Sequence, residues 1–552
     1  VATLVGLLAL GACSDDAGTR QASEGEPWFA LATARAGASF EHVFGDRRRY
    51  WFPEIMGAGV GLADVDGDGR LDVYLVQGGD LERGPGEEAN ALWHNAGEWR
   101  FEDLGPDSGA DDRGYGMGCA FGDHDDDGRV DLYVTNVGAN ALLHNVGGRF
   151  EDVTEVAGVG DQRWSTSATF VDHDLDGDLD LFVVNYLAWT PAREISCSST
   201  HGPKDYCSPN NYNAPSADAL YRNDGAGRFR DVSEASGIAR ATGNGLGVVA
   251  GDFDGDGRPD LYVTNDQMAN HLWLQREDGT FVEDGLLAGC ALDANGEAQA
   301  GMGVVAFDAE DDGDLDLFMV HLRGETNTLY RNEGRRFVDD TAVLGLGAPS
   351  VPFTGFGVAA ADLDHDGRLD LFVANGRVTH GRPLYRPGDP FAEPSQLFHG
   401  VAAARFEEVL PRAGVPGEPA WNARGLALGD LDGDGDLDLV VSQNGGAAQL
   451  LENRMGTRGH WIALRVQTAT GRDALGATVV WDPDGPGRRH RTVASGFSYC
   501  SASDPLVHLG LGQSAAAGTV EVRWPDGPRE RFGPLAVDRT HVLVRGAGQE
   551  LR

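Results

Sequence analysis

The pattern D-x-D-x-D-G-x-x-D occurs seven times, beginning at Asp64, Asp123, Asp172, Asp252, Asp308, Asp362 and Asp430, with Glu310 replacing the second aspartate in the fifth copy. Self-similarity of this kind means one supersecondary unit stacked on copies of itself. The text around each copy repeats as well. Before it stands a small-residue segment such as "GMGCAFGD" or "GLGVVAGD". After it come a β-rich run ("LYVTN", "LFVVN"), a third segment ("NALLHN", "DALYRN") and a fourth ("GRFEDVTEVAGV"). Short alternating segments separated by turn residues are antiparallel strands. Four strands to a unit and seven units predict an all-β fold, a seven-bladed β-propeller. The seventh unit lacks its fourth segment, and "WFALATARAG" near the start resembles the missing piece. Trp28–Thr33 is therefore expected to supply the outer strand of the last blade, closing the ring and removing a free edge.

The repeated loop has the chemistry of a calcium site. Carboxylates at positions 1, 3 and 5 with glycine at 6 match the first half of an EF-hand loop; position 7 offers its carbonyl, and the acid at 9 completes an oxygen cage. The expected ligands are Asp64, Asp66, Asp68 and Asp72; Asp123, Asp125, Asp127 and Asp131; Asp172, Asp174, Asp176 and Asp180; Asp252, Asp254, Asp256 and Asp260. The last three loops offer Asp308, Glu310, Asp312 and Asp316; Asp362, Asp364, Asp366 and Asp370; Asp430, Asp432, Asp434 and Asp438. Like charges this close would raise one another's pKa values and splay the turn unless a cation joined them. Up to seven Ca2+ are implied. Magnesium, with its strict octahedron and retained waters, fits less well.

Acidic residues number 86 against 44 basic ones, a net charge of −42. That balance argues against binding nucleic acid or an anionic membrane through a basic patch. The first residues, "VATLVGLLALGAC", are too short an apolar run to span a bilayer but suit a secretory signal. "LGAC" resembles a bacterial lipobox, so residues 1–12 read as a lipoprotein signal, Cys13 as the lipidated residue and 13–26 as a polar tether. The only expected membrane contact is that anchor. In an exported chain Cys197 and Cys207, ten apart in a loop, are free to pair. Cys119 and Cys290 sit in apolar, Gly-rich stretches and read as buried thiols.

These motifs resemble a known family. The DxDxDGxxD loops behind Gly-rich strands are similar to FG-GAP/VCBS repeats. The insertion "CSSTHGPKDYCSP" and, in order, "GHWIALRV", "GRDALGATV", "GFSYCSASDPLVHLGLG" and "VEVRWPDG" resemble the cartilage acidic protein/UnbV group with its ASPIC/UnbV module. The resemblance implies a secreted or surface-attached calcium-binding protein, with a propeller over 27–455 and the terminal module over 456–552. About six alternating segments in that module predict a small β-sandwich, able to bind a ligand or to pack on the propeller.

Each post-loop strand ends in a polar residue: Gln77, Asn136, Asn185, Asn265, His321, Asn375 and Gln443. This ring should edge the face opposite the acidic loops, either lining a site or bonding turn backbone. Residues 186–217 and 376–394 interrupt the repeat in the connection that reaches the same face. They bring Trp189, Tyr206, Tyr212, His201, Lys204, His380, Arg382 and Tyr385, a set suited to a sugar or an anionic glycan. His94 and His144 read as strand residues, and His124, His173 and His365 as exposed positions of the loops. No zinc-protease motif or nucleophile elbow is present. The expected function is that of an exported ligand-binding or adhesion module for a glycan or an extracellular or surface protein. The rival is an extracellular hydrolase or lyase working from the same face.

Overall fold

The computed structural model describes residues 27–45, 48–82, 88–198, 202, 204–402 and 405–551. The segment read as signal and tether, with Cys13, lies outside the described residues, as does His201. Within them, seven sheets each carry four antiparallel strands of the repeat. Their first strands are Val60–Ala63, Gly116–Gly122, Ser165–Val171, Gly245–Gly251, Val304–Phe307, Gly355–Ala361 and Ala423–Gly429. Each first strand packs against those before and after it, and the seventh returns to the first, so the circuit is closed. The sheets are numbered below as blades 1 to 7.

Stacking explains the strand composition. Side chains alternate between the two faces of a strand, and here both faces are covered. In Asp180–Asn185 of blade 3, Leu181 and Val183 pack with Tyr133 and Leu142 of blade 2. Phe182 and Val184 pack on the other side with Trp273 and Val248 of blade 4. The ring closes as the sequence predicts: Phe29–Leu31 pairs antiparallel with Gln449–Asn453 as the outermost strand of blade 7.

A second device joins the blades through hydrogen bonds. The third strand of most blades ends in an amide residue. In blade 3 the Asn223 Nδ2 donates to Leu179 O of its own loop (3.1 Å) and to His124 O of the blade 2 loop (2.7 Å). Asn95, Asn145, Gln275, Asn332 and Asn453 make the corresponding bond to Leu431 O, Val65 O, His173 O, Phe253 O and Leu363 O. Blade 6 carries Gly400 at this register and has no side chain to offer. Asn223→Ala removes the donor from two buried carbonyls, so it should cost about 2–3 kcal/mol in denaturant unfolding. A loss below about 0.5 kcal/mol, the level of an ordinary surface substitution, would show that the latch is dispensable.

The C-terminal module has two sheets around Ile462, Leu464, Val479, Trp481, Val520 and Trp524. One places His460–Gln467 between Val507–Gly512 and Thr540–Val544; the other orders Arg489–Thr492, Thr478–Trp481, Gly518–Arg523, Arg529–Leu535 and Gln549–Leu551. The strands Arg529–Leu535 and Gln549–Leu551 are additions to the six expected from the sequence. The first begins Arg-Glu-Arg and contains Gly-Pro, which hides its alternation.

Between the strands Arg489–Thr492 and Val507–Gly512 the chain leaves this module and threads the centre of the ring. Ser501–Ala502 pairs in parallel with Val60 and Gly61 of blade 1. Ser495 Oγ donates to Phe121 O of blade 2 (3.5 Å), and Cys500 N donates to Ser167 Oγ of blade 3 (3.0 Å). Ser498 exchanges backbone bonds with Val304 of blade 5 (2.7 and 3.2 Å), and its Oγ accepts from Val358 N of blade 6 (2.9 Å). Ser501 Oγ and Ser503 Oγ accept from Leu426 N and Leu428 N of blade 7 (both 3.1 Å). At blade 4, Ser498 O lies 3.1 Å from where Gly247 would carry a Cβ. One segment therefore touches all seven first strands, and the glycines of those strands make room for it. A Cβ on Gly118 would sit 2.6 Å from Thr166 O and 2.8 Å from Cys500 Cα.

Candidate functional site

The acidic loops share one conformation, and the sequence shows why. Position 4 is left-handed in every copy, with φ between 57° at Asp311 and 78° at Gly433. Position 6 is also left-handed, from 82° at Gly128 to 108° at Gly313. Two such residues in one turn favour glycine strongly, and position 6 is glycine in all seven copies. In the first loop Asp64 accepts from Gly67 N, Asp68 N and Gly69 N at 2.8–3.1 Å. Asp68 Oδ1 accepts from Arg70 N (2.9 Å). The turn thus folds its backbone donors onto the outer carboxylates.

The acid at position 9 anchors the loop. Asp72 Oδ2 accepts from Val65 N (3.2 Å) and its Oδ1 from Asn95 N (2.8 Å). Asp131, Asp180, Asp260, Asp316, Asp370 and Asp438 make the same pair of bonds. All seven of these residues are buried, with at most 1% of their surface exposed.

Three observations show that a cation fits here. Asp64, Asp66 and Asp72 each bring an oxygen to within 4.8 Å of the others'. Burial pushes Asp172 and Asp362 up to about 7 and Asp260 up to about 8, with neighbouring aspartates adding to each shift. Asp125 Oδ1, Asp172 Oδ1 and Asp362 Oδ1 are buried without a hydrogen-bond partner. Hard anionic oxygens that lack donors are what a divalent cation of the calcium class takes as ligands. Loops 1, 2 and 6 also receive an imidazole from the third strand. His94 Nδ1 lies 3.3 Å from both Asp66 and Asp72, His144 Nδ1 3.0 Å from Asp131, and His399 Nε2 3.4 Å from Asp366.

Solvent exposure of His124, His173 and His365 is not observed; they are 5%, 5% and 0% exposed. Position 2 turns inward beneath the fourth strand of the next blade, where His124 stacks on Phe229 and His173 on Phe281. His365 is covered by the C-terminal module, its ring 5.0 Å from that of His508. That module sits on the loop face. Arg472 donates to Gly177 O (2.6 Å), Arg489 to Gly367 O (3.1 Å) and Arg491 to Asp311 Oδ1 (2.9 Å). His508 Nε2 lies 3.0 Å from Gly435 O. Loops 3, 5, 6 and 7 are thereby held beneath one cationic surface.

On the other face the polar ring follows the second of the two sequence readings, the bonding of turn backbone. Asn136, Asn185, Asn265, His321 and Asn375 are at most 2% exposed. Four of them bond turn backbone: Asn136 to Ala139 O, Asn185 to Ala217 O, Asn265 to Ala269 O and Asn375 to Pro394 O. The connecting loops fold over the strand ends and absorb the amides. Trp189 is buried against Trp51 and Trp164, and its Nε1 donates to Glu194. Arg382 and Tyr385 remain exposed. The two insertions meet at His380, whose Nδ1 lies 3.0 Å from Asp205 Oδ1 and whose backbone N donates to Asp205 Oδ2 (3.1 Å). Cys197 and Cys207 form a disulfide within the first insertion.

Beneath this junction lies a cavity of about 190 Å³. Its lining includes Phe52, Met56 and Tyr206 together with Leu246, Met302 and Phe356, the middle residues of three G-x-G segments. Val378, Thr379 and Leu322 stand at its partly exposed margin. Asp266 is its acidic lining residue, 7% exposed, and burial raises it to about 7. Tyr186 Oη donates to Asp266 Oδ2 (2.6 Å), whereas Oδ1 has no partner. Sequence reasoning missed Asp266 and the G-x-G middle residues. The available signal was the recurrence of a large apolar residue between two glycines.

Comparison with known proteins agrees with this organisation. The FG-GAP-like repeat matches residues 64–134, 123–183, 205–263, 252–319 and 308–373, and ASPIC and UnbV matches 467–550. Cartilage acidic protein 1 of Homo sapiens is 31% identical over 312 residues, 54% of this chain and 43% of that protein. The Mus musculus protein is likewise 31% identical, over 54% of this chain and 44% of its own length. The aligned stretch thus covers under half of either relative. Among solved structures, an Agrocybe aegerita lectin specific for non-reducing terminal N-acetylglucosamine aligns with a TM-score of 0.38 at 15% identity, over 72% of this chain and 95% of its own. A Bacillus licheniformis rhamnogalacturonan lyase aligns with a TM-score of 0.38 at 12% identity, over 77% and 75%. The repeats, their acidic loops and the terminal module together place the chain in the FG-GAP-like repeat family, as a member that also carries an ASPIC and UnbV module and is similar to cartilage acidic protein 1.

Proposed function

We propose that this chain is an exported, calcium-stabilised ligand-binding protein held at the bacterial cell surface through a lipid on Cys13. Its loops hold up to seven Ca2+, and its binding face is the one the two insertions build, for a glycan or an extracellular protein. The observation that carries this reading is the division of labour between faces. The acidic loops are occupied with anchoring and with the C-terminal module, whereas the opposite face carries the cavity and the departures from the repeat. Ca2+ supplies charge neutralisation and fixed loop geometry when bound. The chain's own part is to orient the carboxylates through the backbone bonds described above. Among the described residues no helix is long and apolar enough to cross a membrane.

A glycan array probed with and without calcium tests the reading. Saturable binding in calcium, lost in EGTA once the temperature passes the lowered melting point but kept in calcium at that temperature, is the expected result, since a loop-stabilised face binds only while folded. An empty array together with no captured extracellular protein contradicts it. A second reading, an extracellular hydrolase or lyase, draws on the half-exposed His380 beside the buried Asp205 carboxylate, a pairing able to hold and move a proton at Nε2. Turnover in a hydrolase and lyase screen that His380→Ala abolishes would favour it.

A further inference from the structure

We propose that the cavity under the two insertions binds a small alkylammonium ligand, its cationic group against Asp266 and its apolar body among Phe52, Met56, Tyr206, Met302 and Phe356. The inference rests on reading this face as the binding face and adds the chemistry of the ligand.

Size, lining and charge each point to that class. A dry apolar cavity of about 150 Å³ is known to admit a benzene-sized guest, and the volume here is about 190 Å³. The lining supplies three aromatic rings and two thioethers. Aromatic faces attract cations, most strongly where both are desolvated, and are the usual partners of quaternary ammonium groups. A buried carboxylate oxygen without a donor costs free energy unless something pairs with it. Asp266 Oδ1 is in that state. Its other oxygen is held by Tyr186, so the free one has a fixed position. Glu325 adds a second negative charge to the field at Asp266. An anionic ligand is therefore opposed on the Asp266 side; one face of Phe356 is already covered by the Arg424 guanidinium, 4.0 Å from its centroid, so the aromatic partners left for a cation are Phe52 and Tyr206.

Choline and its neutral carbon isostere, 3,3-dimethylbutan-1-ol, separate charge from shape. Titration calorimetry of the full chain in calcium should show choline binding at least about tenfold more tightly than the alcohol. Asp266→Asn keeps an acceptor for Tyr186 and removes the charge. It should abolish the preference for choline while leaving the alcohol's affinity within about twofold. Equal affinities in the wild-type chain, or no choline binding, overturn the proposal without reference to any variant. Choline failing while array binding persists refutes the ammonium assignment alone. Failure of both refutes the binding-face reading as well.

Discussion

In excess EGTA the melting temperature is expected to fall by about 10 °C or more, because ligation to the native state alone adds RT ln(1 + [L]/Kd) for each site. At a tenfold excess over Kd that is about 1.4 kcal/mol per loop, and seven loops share the ring. The pH dependence has a definite sign. Burial raises Asp260 to about 8 and Asp172 and Asp362 to about 7 in the calcium-free fold, whereas an unfolded aspartate titrates near about 3.9. Between these values the native chain binds more protons than the unfolded one, so stability falls as pH rises. The stripped protein should therefore lose stability as pH rises from about 6.5 to 8, above the range in which the buried His271, His321 and His508, whose pKa values burial lowers, act in the opposite sense. Protons and Ca2+ compete for the same oxygens, so the difference between loaded and stripped melting temperatures should be widest at pH 8 and narrow toward pH 5. A gap that is the same at both pH values would detach the loops from stability.

Gly118→Val is expected to destabilise the ring strongly. A Cβ there would come within 2.8 Å of Cys500 Cα and 2.6 Å of Thr166 O, both rigid backbone atoms. Overpacking of a well-filled interior costs about 1–3 kcal/mol where side chains can shift, and backbone on both sides leaves less room to do so. The central segment must be displaced, and with it the pairing of Ser501–Ala502 to blade 1. Limited proteolysis should then cut between residues 493 and 506 in the variant and leave the wild-type chain intact. Gly67→Val is the control. Nothing lies within 4 Å of its added Cβ, so its cost reflects the left-handed φ of 76° alone and the central segment should stay resistant. Cleavage at equal rates in both variants would show that Gly118 is not what seats the segment.

Some of this organisation is readable in the residues and some is not. The acidic loops were readable because their chemistry is local: three carboxylates and a glycine within six residues determine the turn. Ring closure by Phe29–Leu31 was readable because the repeat left one strand missing. The threaded segment was not, since "GFSYCSASD" has no period, and its partners lie some 75 to 440 positions away, as Leu428 and Met56 do. The polar ring was readable as to register and as to its bonding of turn backbone, but not as to which turn carbonyls it meets. Asn185 marks the end of its strand, but its amide is taken by Ala217 O from the returning insertion, a contact no repeat alignment contains. His124 was misplaced for the same reason, since its burial is supplied by Phe229 of the next blade.

Whether each acidic loop holds calcium is open to direct measurement. Elemental analysis of the chain dialysed to equilibrium against calcium measures this directly, with the Asp362→Asn/Asp364→Asn double variant alongside. One Ca2+ per loop, and one fewer in the variant, is expected. Less than one Ca2+ per chain, or an unchanged count in a folded variant, would contradict calcium binding by the loops.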